Sequence, residues 1–462
     1  MRDKKLGLGA LTCLVIGTMI GSGAFALPQN LAAGAGALAI MLGWLITGAG
    51  MIALARVFGY LNEAKPDLQS GIYTYAREGF GEFVGFNSAW GYWLSALLGN
   101  VSYAVLMFSA LGYFFPVFGK GNTPAAILGA SLFLWLIHFL ILKGMKEAAL
   151  VNVLATLGKI IPILVFLIFC LLTLNFHRFH FDFTHPELGS VFTQLKTTML
   201  VTLWAFIGVE GAVVLSGRAK KHTDVGKATL IGLVSTLILY ILISLLSLFA
   251  VGQPALAKMP DPSMAYVLKS LVGPWGATLI NIGLVISLVG AWLGWTLLCA
   301  ELPYIAAKDH VLPKVFGLEN KNGSPSGALW ITNCLIQFFL IVVLFSQSTY
   351  LTLLKLATSC ILMPYLFSAF YGLKLATTIA SLRRYIFISS LASLYAIWLI
   401  YAAGLNYLLA SSLLYGVGVF VFIWAKKQAR EIIFQGHELV GAVALLMVSA
   451  AALLAFCTHR LT

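Results

Sequence analysis

The sequence predicts an all-helical integral membrane protein with 12 or 13 transmembrane helices. Of its 462 residues, 60% are hydrophobic and only 10% are charged, and the mean hydropathy is +0.94. Soluble proteins carry about 25% charged residues, so this composition excludes a large soluble helical protein. Two glycine-rich interruptions inside the apolar runs refine the prediction, because broken helices are typical of one kind of membrane fold.

The apolar runs have the length that a membrane helix needs, which is about 20 residues. Thirteen runs follow one another, near residues 8–30, 36–55, 83–112, 124–142, 150–174, 197–216, 228–251, 276–306, 328–346, 350–372, 385–403, 406–425 and 438–457. The last run follows a basic connection. We therefore expect one membrane body over residues 1–430 and an additional transmembrane helix within residues 431–462.

The net charge of +13 comes from an excess of Lys and Arg, which number 29 against 16 Asp and Glu. Most of the Lys and Arg residues lie in alternate connecting segments, starting with the one before the first run. The positive-inside rule then places the N-terminus in the cytoplasm. Because the positive charge is scattered over short loops, we predict no nucleic-acid partner, and anionic lipid of the inner leaflet is the simpler one.

The first interruption is the segment Gly17–Pro28, with the sequence GTMIGSGAFALP. Backbone groups freed by a broken helix cannot face lipid, so they face protein, water or a bound solute. Gly17 and Gly21 also form a GxxxG pair, for which close helix packing is the alternative explanation. The run from Gly21 through Ser22 to Gly23 differs, because it offers N–H groups, a hydroxyl and a positive helix end that suit a carboxylate.

The second interruption is the segment Trp204–Gly211, with the sequence WAFIGVEG in the sixth run. It carries Glu210, and a carboxylate at this depth is costly and predicts a function. Glu210 could carry a proton or balance a cationic ligand, or it could be a protonated structural residue. Two broken helices five spans apart predict an inverted five-plus-five repeat with the substrate between the breaks.

Three further side chains are candidates by their position inside apolar runs. Lys159 lies far from both ends of the fifth run, where it could replace a coupling ion, switch by protonation or form a structural ion pair. Asn100 could contact a ligand or join two helices. Trp295 could cover a cationic group with its indole face, or it could pack in the core.

Other chemistries are weakly supported. The sequence contains no phosphate-binding GxxxxGK[ST] motif and no arrangement of a nucleophile with a histidine, so we predict that the chain is not an enzyme. A membrane-embedded enzyme or a sensor is a distant alternative. His177, His180 and His185 have a spacing that could bind a metal, but we predict no metal and no cofactor.

The two interruptions and the segment Ala300–Asp309 (AELPYIAAKD) resemble the amino acid–polyamine–organocation superfamily. More narrowly, the chain is similar to its basic amino acid/polyamine antiporter branch, which includes arginine/ornithine exchangers and lysine permeases. The resemblance covers about residues 5–430. It implies ten core helices in the inverted-repeat fold of the leucine-transporter type, with the first and sixth broken, and peripheral helices around them.

The resemblance also implies a substrate site, by matching motif positions. Ser22 and Gly23 would hold the carboxylate of an amino acid. The main-chain carbonyls of Met19, Trp204 and Ile207 would receive its α-ammonium group.

The other matched positions concern the substrate side chain and the transport cycle. Trp295 would cover the side chain, and Tyr92, Asn100 and Glu210 would gate or couple transport. Lys159 matches a lysine of several sodium-independent relatives, although the best-known arginine/agmatine exchanger lacks it.

The implied function is exchange of cationic amino acids across a bacterial inner membrane, and the favoured pair is arginine for ornithine. Ala96 and Ala357 stand where the arginine/agmatine exchanger has polar side chains, which weakens agmatine as the counter-substrate and leaves ornithine or lysine open. The alternative is a proton-coupled or facilitated permease for lysine or another amino acid. The expected partners are amino acid substrates and the lipid bilayer, and a homodimer is left open.

Overall fold

The computed structural model describes residues 7–68, 71–143, 145–173, 184–214, 216, 219–346 and 349–458. His177 and His180 lie outside these residues. The described chain is built of helices and connecting loops. The α-helices are α1 Leu8–Met19, α2 Gly23–Ala32, α3 Ala37–Ala64, α4 Ile72–Phe80, α5 Glu82–Gly112, α6 Pro124–Lys143, α7 Met145–Leu172, α8 Val191–Trp204, α9 Gly211–Val214, α10 His222–Val251, α11 Gln253–Leu256, α12 Ser263–Val272, α13 Pro274–Lys308, α14 Ser326–Ser346, α15 Tyr350–Thr378, α16 Ile386–Ala403, α17 Leu405–Ala429 and α18 Glu438–Cys457.

The predicted fold class is confirmed. Ten helices of the described chain are long and apolar enough to cross a membrane, and the bent pair of α1 and α2 raises the number to 11. Each of the apolar runs predicted from the sequence coincides with one helix or with a pair that a break separates. The protein is therefore a multi-pass membrane protein.

Both predicted breaks are present, and glycines explain their positions. The first lies between α1 and α2, which are bent by 43°. A Cβ atom on Gly21 would lie 2.9 Å from the hydroxyl of Tyr103, so a larger residue there would have to displace the tyrosine. In the second break, residues 205–210 form turns between α8 and α9. Gly208 has a φ of +114°, which favours glycine.

The two breaks touch each other in the centre of the bundle. Thr18, in the last turn of α1, donates a hydrogen bond of 2.9 Å from Oγ1 to the carbonyl of Gly208. Around them, α5 packs against α13 and α15, and α10 packs against α1 and α3. This packing places irregular backbone where it contacts protein rather than lipid, as its unsatisfied polar groups require.

The last helix, α18, is attached to the body through a few polar contacts. The carboxylate of Glu438 accepts hydrogen bonds from the N–H of Phe83 at the start of α5 (3.0 Å) and from the N–H of Gln435 (2.9 Å). Ser449 donates to the carbonyl of Ser412 in α17 (2.6 Å). Most of the other α18 side chains are exposed, which suits a helix at the lipid-facing edge.

Candidate functional site

A chain of hydrogen bonds connects the two breaks. Nε1 of Trp204, the last residue of α8, donates to the hydroxyl of Tyr350 (3.1 Å), and this hydroxyl donates to Oγ of Ser22 (2.8 Å). All three side chains are buried. Ser22 directly precedes α2, so the first N–H groups of that helix, including that of Gly23, have no partner within it. The hydroxyl and the positive helix end together form an anion-binding arrangement.

A small cavity lies beside these groups. About 10 Å³ of it is open to water, which is room for about one water molecule. An amino acid does not fit into this space in the conformation seen here. Trp295 forms part of the wall, with its Nε1 donating to the carbonyl of Thr18 (3.3 Å) and its ring 6.2 Å from that of Tyr92. The lining residues are Ser95, Ala96, Gly99, Tyr103, Trp204, Ile207 and Trp295.

Two of the predicted ammonium-binding carbonyls already accept hydrogen bonds. The carbonyl of Met19 accepts from the hydroxyl of Tyr240 (2.8 Å) and from the N–H of Gly21 (2.8 Å). The carbonyl of Trp204 accepts from the N–H of Ile207 (3.2 Å). A carbonyl oxygen has two lone pairs, so a substrate ammonium at Met19 would replace one of its present donors.

Lys159 is fully inside the protein and binds the first break directly. Its Nζ donates to the carbonyls of Gly17 (2.7 Å) and Ile20 (2.5 Å), and its side chain is 1% exposed. Among the described residues it forms no ion pair with a carboxylate. Of the roles left open by the sequence, the structural ion pair is therefore not observed, and the ammonium instead stabilises carbonyls in the last turn of α1 and just after it.

Glu210 binds the second break and α15. Its Oε2 accepts hydrogen bonds from the hydroxyl of Tyr365 (2.8 Å) and from the N–H of Gly208 (3.1 Å). Its Oε1 and the hydroxyl of Tyr92 are both buried and interact with each other, and in the described part of the chain neither has another hydrogen-bond partner. Glu210 is thus surrounded by neutral groups, and no Lys or Arg of the described residues forms an ion pair with it.

The side-chain amide of Asn100 is also buried without hydrogen-bond partners in the described structure. It is 0% exposed, and within the described residues neither Nδ2 nor Oδ1 has a hydrogen-bond partner. Leaving a buried polar group unsatisfied costs about 1–3 kcal/mol. A ligand or another conformation that satisfies this amide would therefore be favoured.

Several tyrosines of the site were not found by sequence reasoning. Tyr240, Tyr350 and Tyr365 each donate to a predicted site residue, to Met19, Ser22 and Glu210 respectively. Tyr240 and Tyr365 lie in the middle of apolar runs rather than at the membrane interface, where tyrosine is usual. A buried tyrosine hydroxyl needs a hydrogen-bond partner. The position of these tyrosines in the sequence therefore indicated that they bind other buried polar groups.

Asp261 is a second residue that the sequence did not single out. It lies in the loop between α11 and α12, and its carboxylate interacts electrostatically with Tyr350. Its Oδ1 is buried without a partner among the described residues, and burial raises the pKa of the Asp261 carboxyl to about 7. Because it stands in a polar loop, nothing in the local sequence distinguishes it from an ordinary surface carboxylate.

Comparison with known proteins shows the family of the chain. Residues 6–429 match the family described as amino acid permease. The chain is 50% identical over 452 residues to the arginine/ornithine antiporter of Pseudomonas aeruginosa, with 94% of each chain covered. It is 45% identical over 475 residues to the arginine/agmatine antiporter of Chlamydia caviae, with 99% of this chain and 98% of the relative covered. The described residues contain no cluster of three or more His, Cys, Asp or Glu side chains that could hold a metal ion.

Proposed function

This chain belongs to the amino acid permease family, whose members are transporters rather than enzymes, and from that premise we propose that it exchanges arginine for ornithine. The observation that carries the proposal is the meeting of two broken helices beside a small, buried cavity. In that geometry the hydroxyl of Ser22 and the start of α2 suit the α-carboxylate of any amino acid. Glu210 supplies the buried negative charge that a cationic substrate needs.

A site of this kind favours exchange. A site that binds the α-carboxylate and the α-ammonium through main-chain groups accepts either partner of an exchange. The helices then reorient readily only when the site is occupied. We assign Ser22 and Gly23 to the carboxylate, the carbonyls of Met19, Trp204 and Ile207 to the ammonium, Trp295 to the side chain, and Tyr92, Asn100, Lys159 and Glu210 to gating or coupling.

One observation favours a second candidate, a proton-coupled permease. Glu210 and Lys159 are both buried, and neither has an ion-pair partner among the described residues. Such groups can change protonation during a transport cycle. In that case a proton gradient, rather than a counter-substrate, would drive uptake.

The setting of the transporter is part of the proposal. We place it in a bacterial inner membrane with the N-terminus in the cytoplasm, as the distribution of Lys and Arg predicts. Residues 1–430 would form the transporting body, and the helix within residues 431–462 would be an addition at its edge. Lipid contacts this edge, and a homodimer is one assembly that would cover part of it.

Proteoliposomes test the exchange directly. Vesicles loaded with ornithine should take up labelled arginine much faster than empty vesicles. Lysine and agmatine loaded in parallel rank the counter-substrates, and vesicles without protein give the background. Equal rates in loaded and empty vesicles would contradict exchange, and stimulation of the empty vesicles by a proton gradient would then support the permease.

Trp295→Leu tests the assignment of the side-chain contact. A Trp face over a cationic group is worth about 1–2 kcal/mol, so arginine should bind about tenfold more weakly. Trp295→Phe should lose less. Trp292→Leu, the same change on the same helix outside the cavity, controls for lost indole packing. Unchanged arginine affinity in a folded Trp295→Leu protein would show that Trp295 only packs.

A further inference from the structure

A second and much larger cavity lies away from the helix breaks. Its volume is about 500 Å³, and it is open to the surface. It lies at the end of the bundle where α8, α15 and α17 begin and α16 ends. The residues around it include Phe192, Lys196, Leu200, Lys355, Tyr401 and Tyr407. A cavity of this size holds a lipid headgroup or another small organic ligand.

The only charged side chains that line the cavity in the described structure are two lysines. Lys196 comes from α8 and Lys355 from α15, and both are half-buried. Lys196 Nζ lies 4.4 Å from the ring centre of Tyr401, and Lys355 Nζ lies 5.8 Å from that of Tyr407. Within the described residues neither lysine forms an ion pair with a carboxylate. The cavity therefore carries two positive charges that no anion of the described chain neutralises.

Aromatic side chains beside the cavity indicate that it opens at the level of the membrane interface. Phe192, Trp398 and Tyr401 form an aromatic cluster beside it, with ring centres 5.7 to 6.3 Å apart. Phe192 and Tyr401 are 51% and 55% exposed, and exposed aromatic side chains of membrane proteins concentrate at the level of the headgroups. The apolar residues Leu200, Ala402 and Ala403 line the same space and suit the glycerol and upper acyl regions of a lipid.

We propose that this cavity binds the phosphate headgroup of an anionic phospholipid such as phosphatidylglycerol. The phosphodiester lies between the ammonium groups of Lys196 and Lys355, and the acyl chains pass the aromatic cluster into the bilayer. Charge complementarity decides the ligand class, because two uncompensated lysines repel a cationic ligand and attract an anionic one. A zwitterionic lipid carries its own positive charge in the headgroup, so its attraction to the two lysines is weaker.

The bound lipid would connect α8 and α15, two helices that also contribute residues to the proposed substrate site. Lys196 is in α8, which ends at Trp204, and Lys355 is in α15, which begins at Tyr350. Trp204 and Tyr350 are hydrogen-bonded to each other. A phosphate that bridges the two lysines therefore stabilises the contact between α8 and α15 in the conformation seen here, whichever solute the protein transports.

The test is lipid binding to the purified protein. Native mass spectrometry during titration with phosphatidylglycerol in detergent gives an apparent Kd, and melting curves report stabilisation. Each lysine near an anionic headgroup contributes about 1 kcal/mol, so Lys196→Gln with Lys355→Gln should weaken phosphatidylglycerol binding about thirtyfold. The paired variant with Arg at both positions keeps the charge and should keep the binding.

Matched controls separate this site from general charge effects. Lys258→Gln with Lys269→Gln removes two exposed lysines of the loop region between α10 and α13, outside the cavity, and should bind the lipid like the wild type. Phosphatidylcholine should stabilise the protein equally in all variants. Wild-type phosphatidylglycerol affinity in the double Gln variant would overturn the proposal, as would equal stabilisation by inorganic phosphate, which would show a soluble anion instead of a lipid.

Discussion

Lys159→Met should abolish transport and strongly lower the melting temperature. The ammonium of Lys159 donates to the carbonyls of Gly17 and Ile20, and Met fills similar volume without a donor. A hydrogen bond that involves a charged group contributes about 1.5–3 kcal/mol, so the loss of two costs about 3–6 kcal/mol. The freed carbonyls lie at the first break, next to the proposed substrate site. Lipid offers them no hydrogen-bond donor in place of the ammonium.

The measurements are arginine uptake into proteoliposomes and the melting temperature in detergent. Lys374→Met is a control for the loss of a lysine-to-carbonyl hydrogen bond at an exposed position, because Lys374 donates to the carbonyl of Gly79 (2.7 Å) away from the breaks. Lys159→Gln keeps a neutral donor and should recover part of the stability. Full exchange activity in a folded Lys159→Met protein would contradict the role of the ammonium in holding the first break.

The helices and their breaks could be predicted from the sequence because their causes are local. The length of an apolar run determines where a chain can cross a bilayer. Gly21, Gly208 and the glycines around them indicate a helix interruption even when the packing partners are unknown. Even the meeting of the two breaks followed from their separation by five spans. The contact between Thr18 and Gly208 is what that expectation requires.

The partners of the site residues could not be predicted, because packing between distant segments decides them. The sequence leaves Lys159 open to an ion pair, and its actual partners are carbonyls about 140 positions earlier in the chain. Tyr365 donates to Glu210 from 155 positions away. The small size of the cavity beside Trp295 likewise depends on side-chain contacts that no local pattern specifies.

Glu210→Gln should leave the protein folded, slow exchange and flatten its pH dependence. Gln can still accept from the hydroxyl of Tyr365 and the N–H of Gly208, which now bind Oε2, so the second break is kept. It cannot bind or release a proton, and it offers a cationic substrate no charge. Replacing a charge-assisted hydrogen bond by a neutral one costs about 1–2 kcal/mol, which corresponds to about tenfold slower exchange.

Two further variants show which group the pH profile reports. Tyr365→Phe removes one donor to Glu210 but keeps the carboxylate, so it should slow exchange without flattening the profile. Burial raises the pKa of Asp261 to about 7, so this carboxyl also titrates near neutral pH, and Asp261→Asn isolates its share. If Glu210→Gln keeps the wild-type profile and rate while Asp261→Asn loses the pH dependence, Glu210 is structural and proton sensing belongs to the loop beside Tyr350. Because Asp261 interacts with Tyr350, which bonds Ser22, that outcome would still place the pH-sensitive group next to the carboxylate end of the site.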